Sequence, residues 1–148
     1  MKNEKINIAL AGFGNIGSYF YKNLKKNAKT ISSKTGKFPV VKYISVKNIK
    51  KKRNIKIPKS IMIKNPIDLA YKKDVDIIVE LVGGAEGIAK RLVFQALRNR
   101  KHVITANKSL ISKHGDVLAS LAERNGVNLE YEASVAGGVH PPGKKVSG

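Results

Sequence analysis

With 148 residues the chain suits one domain. It has no signal-peptide pattern, and no apolar run approaches the roughly 20 residues of a membrane helix. We therefore expect a cytoplasmic protein without a membrane partner. It has no cysteine, which excludes disulfides, thiolate chemistry and cysteine zinc sites. The formal net charge of +19 is unusual, but lysine, isoleucine and asparagine all have A/T-rich codons, so a biased genome accounts for it without an anionic partner.

Strand-like and helix-like segments alternate along the chain, separated by short loops. In chain order we expect strand 5–12, helix 15–27, loop 28–38, strand 39–47, basic loop 48–60, strand 61–63, helix 66–73, strand 75–84, helix 85–100, strand 101–107, helix 109–126 and strand 127–135. About six strands alternating with helices predict an α/β fold, a doubly wound parallel sheet that is covered on both faces.

Three glycines stand between the first strand and the first helix, in the stretch ALAGFGNIGS at residues 9–18. Gly12, Gly14 and Gly17 have the G-x-G-x-x-G spacing in the strand-to-helix context that the motif requires. The first glycine permits a tight turn, the second lets the backbone approach a pyrophosphate, and the third lets the helix pack on the strand. The N–H groups and the dipole of the helix N-terminus then bind the phosphates. The sequence therefore predicts a Rossmann-type dinucleotide-binding turn.

The end of the second strand bears on which dinucleotide binds. NAD sites commonly place Asp or Glu there to accept hydrogen bonds from the ribose hydroxyls, but the stretch SVKNIKKKR at 45–53 contains no carboxylate. Its lysines suit a 2′-phosphate, and one charge-assisted hydrogen bond of about 1.5–3 kcal/mol favours NADP by about 10–100-fold. We expect NADP; the alternative is a solvated basic loop with NAD as the cofactor.

Three later motifs follow the glycine turn in order: VELVGG at 79–84, KHVITANKSLISKHG at 101–115 and LEYEASVAGGV at 129–139. Together they resemble the nucleotide-binding domain of the homoserine dehydrogenase family. The resemblance covers residues 5 to about 139, and its T-A-N-K and E-A-S-V-A-G-G segments are more discriminating than the glycine turn. It implies an oxidoreductase that reduces L-aspartate 4-semialdehyde to L-homoserine with NAD(P)H, in the biosynthesis of threonine, methionine and isoleucine.

The resemblance also implies where the cofactor lies. The phosphates would contact the glycine turn, at Gly12, Phe13, Gly14, Asn15, Ile16 and Gly17. The adenosine ribose would lie near Lys47, where the family often has arginine. The nicotinamide half would lie near Gly83, Thr105, Ala106 and Lys108.

Lys108 matches the family's active-site lysine, and it is the catalytic residue that the resemblance implies in this chain. It follows the strand 101–107 directly, and ligands in open α/β sheets bind outside the carboxyl ends of strands. An ammonium there opposes the negative charge that grows on a carbonyl oxygen during hydride transfer; a solvated lysine at a helix start is the alternative. A sodium-type site of the family is matched by Glu132 and the backbone carbonyls of Val135, Gly137 and Val139.

The family pattern breaks after residue 139. The family continues with an aliphatic-Pro-aliphatic run and a substrate domain, whereas VHPPGKKVSG at 139–148 matches neither. We expect an NAD(P)-binding domain at 1–139 and an off-pattern tail at 140–148, in a truncated or frameshifted homoserine dehydrogenase without its substrate domain. Such a chain binds the cofactor and is inactive alone, whereas the full-length enzyme is a homodimer that acts on a small-molecule substrate.

Two other classes of protein stay open. A different Rossmann NADP-dependent oxidoreductase, or a cofactor-sensing module, would share the glycine turn but not the semialdehyde chemistry. A basic nucleic-acid-binding protein is favoured by charge alone, because the run KNIKKKRNIK at 47–56 lacks interleaved aromatic residues. The histidines, at 102, 114 and 140, have no paired metal-ligand spacing.

Overall fold

Six strands form one parallel sheet in the computed structural model, which describes residues 4–53 and 55–132. The strands are β1 (Glu4–Ala11), β2 (Lys37–Ser45), β3 (Met62–Ile63), β4 (Ile77–Glu80), β5 (His102–Thr105) and β6 (Leu129–Tyr131). Their order in the sheet is β3-β2-β1-β4-β5-β6, and every neighbouring pair is parallel. The chain thus moves outward from β1 in both directions, the order of doubly wound dinucleotide-binding folds. The predicted fold class is confirmed.

Three α-helices and two short 3-10 helices connect the strands. They are α1 (Asn15–Thr35), α2 (Ile88–Arg98), α3 (Lys108–Arg124) and the 3-10 helices Lys59–Ile61 and Pro66–Tyr71. Among the described residues, no helix is both long and apolar enough to cross a lipid bilayer.

The predicted loop at 28–38 is wrong, because α1 continues for two more turns. After Leu24 the buried positions of this helix continue at four-residue spacing with the small side chains of Ala28 and Ser32. The helix ends at Gly36, whose left-handed φ of 76° lets its N–H donate to the carbonyl of Ser32. Small buried residues carry little hydrophobic signal, which is why the sequence pattern ended the helix too early.

The sheet has an apolar core on each face, as the alternation along β1 requires. Ala9 and Ala11 face a core formed with α2, α3 and the 3-10 helix at 66–71. Ile8 and Leu10 face the other core, formed with α1 and the segment around Ile57. Burying each large aliphatic side chain contributes about 1.5–3 kcal/mol, so these two cores fix the helices against the sheet.

The carboxyl ends of the strands lie along one edge of the sheet, and backbone hydrogen bonds continue beyond the strands there. The N–H of Leu81 donates to the carbonyl of Ala11 over 2.8 Å, and the N–H of Glu132 donates to the carbonyl of Thr105 over 2.9 Å. The segments that follow β4 and β6 are therefore held against the ends of β1 and β5. In open α/β sheets, this edge is where ligands bind.

Candidate functional site

The glycine turn connects β1 to α1 and bends tightly at its first glycine. Gly12 has a φ of +100°, and its N–H donates to Oγ of Ser45, at the end of β2, over 2.8 Å. A Cβ on Gly12 would lie 3.2 Å from the carbonyl group of Leu81. Both the backbone conformation and the packing therefore require glycine at this position. Ser45 is not among the predicted site residues, although a small hydroxyl residue at the end of a β-branched strand was a visible signal.

The other two glycines of the turn differ in what they contact. A Cβ on Gly17 would lie 2.7 Å from the carbonyl oxygen of Gly12, a distance that real Cβ atoms do not adopt. Gly14 has a φ of −99° and a ψ of −147°, and apart from its chain neighbours no described residue comes within 4 Å of the position of its Cβ. Packing thus requires glycine at 17, whereas no packing contact with other described residues requires it at 14. Without a side chain, Gly14 leaves open space beside the start of α1.

The start of α1, which follows Gly14 directly, has no side-chain cap. Gly14 is the N-cap, no side chain accepts a hydrogen bond there, and the first turn contains no acidic residue. The first intrahelical acceptor is the Gly14 carbonyl, bonded to the N–H of Ser18 over 2.9 Å, so the preceding N–H groups have no acceptor within the helix. The ring of Phe13 packs edge-on against the ring of Tyr21, with the ring centroids 6.0 Å apart. The backbone of Phe13 stays in the turn. This helix end can bind an anion.

The basic segment after β2 is an ordered turn. The guanidinium of Arg53 donates to the carbonyl of Asn48 over 2.6 Å and to the carbonyl of Lys51 over 2.9 Å. The side chain of Asn48 accepts from the N–H of Lys50 over 3.0 Å. Lys47, directly before this turn, is exposed. Arg53 is therefore used to brace the turn, and the lysines carry the charge that it presents to solvent.

A buried carboxylate ends β4. Glu80 has no exposed surface; its Oε1 accepts from the hydroxyl of Thr105 over 2.6 Å, and its Oε2 accepts from the N–H of Gly83 over 2.9 Å. The sequence analysis assigned no role to Glu80. The signal was nevertheless present, because Glu80 is the charged residue inside the otherwise apolar run at 77–82.

The same hydrogen-bonded group continues at the end of β5. Oγ of Thr105 accepts from the N–H of Asn107 over 3.0 Å. The side chain of Asn107 donates to the carbonyl of Gly84 over 2.6 Å and caps α3 by accepting from the N–H of Leu110 over 3.0 Å. We call Glu80, Thr105 and Asn107, with the backbone groups that they bind at residues 83 and 84, the Glu80 network. Lys108 follows Asn107 as the first residue of α3, and it is exposed.

An ion pair fixes the far side of the loop that follows β4. Nε2 of His114, on α3, lies 3.0 Å from both carboxylate oxygens of Glu86, and Nζ of Lys90 lies 3.5 Å from one of them. The hydrogen bond from His114 is the main reason that the pKa of Glu86 lies below its ordinary value of 4.5. The loop therefore contacts α3 at two points, through Asn107 and through His114.

The structure brings the predicted cofactor residues to one edge of the sheet. They follow four adjacent strands, β2, β1, β4 and β5, at Lys47, at residues 12–17, at Gly83, and at Thr105, Ala106 and Lys108. Glu132 follows β6 at the same edge. Its predicted partners in a sodium site, Val135, Gly137 and Val139, lie outside the described residues. Within residues 4–53 and 55–132 there is no group of three or more His, Asp or Glu side chains that could hold a metal ion.

Known proteins resemble this chain over most of its length. A family model described as the NAD binding domain of homoserine dehydrogenase matches residues 12–132. The homoserine dehydrogenases of Neisseria gonorrhoeae and Bacillus subtilis are 40% and 37% identical to it over 136 residues. A crystal structure of S. aureus homoserine dehydrogenase at pH 7.5 has a TM-score of 0.80 and 40% identity, covering 88% of this chain and 34% of that one. The alignments cover 92% of this chain but 31% of the two curated relatives, so the chain spans about a third of their length.

Proposed function

The chain belongs to the homoserine dehydrogenase family through its NAD-binding domain, and from that premise we propose that it binds NADP(H) as the cofactor-binding part of an enzyme that reduces L-aspartate 4-semialdehyde to L-homoserine. A nicotinamide dinucleotide is the cofactor that family membership implies. One observation carries the proposal: the open space over Gly14, at a helix end without a side-chain cap. The exposed lysines follow β2, the neighbour of β1 in the sheet.

The phosphates bind at the open space over Gly14. Apart from its chain neighbours, no described residue comes within 4 Å of a Cβ at Gly14, so a ligand has room to approach the backbone there. The uncapped N–H groups at the start of α1 follow Gly14 directly and carry the positive end of the helix dipole. A pyrophosphate bound there receives hydrogen bonds from the backbone and needs no lysine or arginine side chain from the turn itself.

We propose NADP over NAD because of the charge at the end of β2. Lys47 is exposed and directly precedes the turn braced by Arg53, and no carboxylate follows β2 to accept hydrogen bonds from ribose hydroxyls. An ammonium bound to a 2′-phosphate contributes about 1.5–3 kcal/mol. That free energy favours NADP over NAD by about 10–100-fold.

Lys108 is the catalytic residue of the proposal. The bound dinucleotide supplies the hydride that is added to the aldehyde carbon. At the first position of α3, beside the Glu80 network, the exposed Lys108 ammonium donates a hydrogen bond to the carbonyl oxygen and stabilises its developing negative charge. Glu132, at the same edge of the sheet, would bind a monovalent cation such as sodium together with the carbonyls of Val135, Gly137 and Val139.

We propose that substrate binding depends on residues outside the cofactor-binding domain. The cofactor domain ends at residue 139 in this proposal, and the groups that bind the semialdehyde belong to the further two thirds of a whole enzyme of this family. The contacts that make such an enzyme a homodimer belong there as well. A biosynthetic role of this kind is carried out in the cytoplasm.

The test is a calorimetric titration of the chain with NADPH, NADH and pyrophosphate at two salt concentrations. We expect saturable NADPH binding that is at least about tenfold tighter than NADH binding and that survives added salt. We expect Gly14→Ala to fold normally, since its Cβ meets open space, and to weaken NADPH binding at least about tenfold. Gly115→Ala, in the middle of α3, is the matched control that leaves binding unchanged. Equal binding of NADPH and pyrophosphate, or unchanged binding by Gly14→Ala, would overturn the proposal.

A further inference from the structure

We propose that Glu80 is a positioning residue, a buried carboxyl group that holds the Gly83–Gly84 loop and the start of α3, with Lys108, in one fixed arrangement around the nicotinamide half of the cofactor. The inference rests on the proposed function, because that function places the nicotinamide beside these residues. It adds a residue, Glu80, whose contribution comes through its neighbours rather than through contact with the cofactor.

Two backbone N–H groups fix two of the hydrogen bonds in the Glu80 network. The N–H of Asn107 can only donate, so Oγ of Thr105 accepts it, and the N–H of Gly83 can only donate, so Oε2 of Glu80 accepts it. The hydroxyl of Thr105 donates to Oε1 of Glu80 over 2.6 Å. A carboxylate accepts on both of its oxygens in this arrangement. An amide in its place would direct an N–H at Thr105, and the Thr105 hydroxyl would have to turn its own hydrogen away from residue 80.

Asn107 transmits the position of the loop to Lys108. Its backbone N–H is bonded to Thr105, its side-chain N–H to the carbonyl of Gly84, and its Oδ1 to the third N–H of α3, that of Leu110. Lys108 is the next residue along the chain. A shift of the loop at 83–84 therefore moves the cap of α3, and with it the backbone that carries the Lys108 ammonium.

A purely structural role does not explain a carboxylate at this position. Glu80 is the last residue of β4, and the residues before it in that strand, Ile78 and Val79, are fully buried and apolar. An aliphatic side chain at position 80 would pack there without the cost of desolvating a charge. What an aliphatic side chain cannot do is accept hydrogen bonds from β5 and from the loop after β4 at the same time. Organising these two segments is the role that remains for the charge.

The network divides the site into two halves. Its described hydrogen bonds involve residues 80–84 and 105–110, and none of them reaches the glycine turn at 12–17 or Lys47. Loss of the network should therefore weaken binding of the nicotinamide half and leave binding of the adenosine half unchanged. General unfolding would instead weaken binding of both halves.

The experiment compares wild type with Glu80→Gln by calorimetry, using NADPH and 2′,5′-ADP, which has the adenosine half alone. We expect Glu80→Gln to bind NADPH at least about tenfold more weakly and to bind 2′,5′-ADP within about twofold of wild type. Glu123→Gln, on the exposed face of α3, is the matched control and should match wild type with both ligands. Equal weakening of both ligands, or no change in either, overturns the inference.

A second pair of variants decides the question if Glu80→Gln does not fold. Thr105→Ser keeps the hydroxyl that donates to Glu80, and we expect it to retain more NADPH affinity than Thr105→Val. Thr105→Val keeps the shape and removes the hydroxyl, and we expect selective loss of NADPH affinity with normal 2′,5′-ADP affinity. Similar NADPH affinities for the two variants overturn the inference. A wild-type chain that binds 2′,5′-ADP and not NADPH also overturns it, whereas a chain that binds neither ligand overturns the proposed function first.

Discussion

The glycine turn and the Glu80 network lie at the same edge of the sheet, but opposite features hold them in place. The turn depends on missing side chains, since a Cβ at Gly12 or Gly17 would press against a backbone carbonyl. The network depends on side chains that are present and fully buried, Glu80 and Thr105 above all. The turn is encoded in six consecutive residues, whereas the network joins residues 25 and 23 positions apart in sequence. Local spacing can therefore reveal the first and not the second.

The largest effect should come from adding a methyl group to the turn. Gly17→Ala places a Cβ 2.7 Å from the carbonyl oxygen of Gly12, so α1 or the turn must shift. We expect a loss of about 1–3 kcal/mol in the free energy of unfolding, together with loss of NADPH binding. Urea denaturation and calorimetry would measure the two effects.

Gly115→Ala is the matched control for this prediction. Gly115 lies within α3, its φ is not positive, and its Cβ would lie 3.4 Å from a methyl group of Ile111. Alanine is favoured over glycine in a helix interior by about 0.5–1 kcal/mol, so this variant should be neutral or slightly more stable. If Gly17→Ala were as stable as Gly115→Ala, the conformation of the turn would not depend on the missing side chain at position 17, which would contradict this prediction.

A smaller effect is expected where the network meets α3. Asn107→Ala removes the cap of α3 and the hydrogen bond to the carbonyl of Gly84, and we expect a loss of about 0.5–2 kcal/mol in the free energy of unfolding. Asn107→Ser keeps a capping oxygen but is too short to reach Gly84. It should recover most of the stability while leaving NADPH binding weaker than in wild type. If Asn107→Ser had both the stability and the NADPH affinity of wild type, the hydrogen bond from the Asn107 side chain to the carbonyl of Gly84 would have no role.

The smallest effect concerns the ion pair on the far side of the loop. The hydrogen bond from His114 keeps the pKa of Glu86 below 4.5, so the pair stabilises the fold above that pH and ceases to do so as the pH falls through the folded-state pKa. In His114→Ala the Glu86 carboxyl should titrate closer to 4.5, as followed by carboxyl carbon NMR. Lys90→Ala should raise the pKa less, because Lys90 contributes less to the shift. If the pKa of Glu86 rose more in Lys90→Ala than in His114→Ala, Lys90 and not His114 would be the main cause of its lowered pKa.

The sequence predicted the parts of the molecule that depend on nearby residues. The strands at the centre of the sheet, the start of α1 and the glycine spacing all follow from apolar runs and from residues a few positions apart. The end of α1 was missed because Ala28 and Ser32 are small. The strand predicted at 75–84 is Ile77–Glu80, and it cannot extend through Gly83 and Gly84, which have positive φ. Glycine identity is visible in a sequence, but the backbone conformation that uses it is not.

The missed residues of the site share one property, which is that their partners are distant in sequence. Ser45 binds the N–H of Gly12, 33 positions away, and Glu80 binds the hydroxyl of Thr105, 25 positions away. A serine at the end of a strand and a glutamate in an apolar run are both visible as anomalies. Their meaning depends on which strands are neighbours, and the order β2-β1-β4-β5 supplies that.

The brevity of β3 has a consequence for how this chain behaves in solution. An outer strand with a long row of free N–H and carbonyl groups is a template on which a second chain can add a strand, and that is a common start of amyloid-like assembly. Here β3 consists of Met62 and Ile63 alone, with Pro58 shortly before it and the exposed Lys59 and Lys64 beside it. Too few peptide groups are presented for a strand to add there, and the flanking ammonium groups repel a second copy. This rim of the sheet is therefore protected against self-association by its length and its charge.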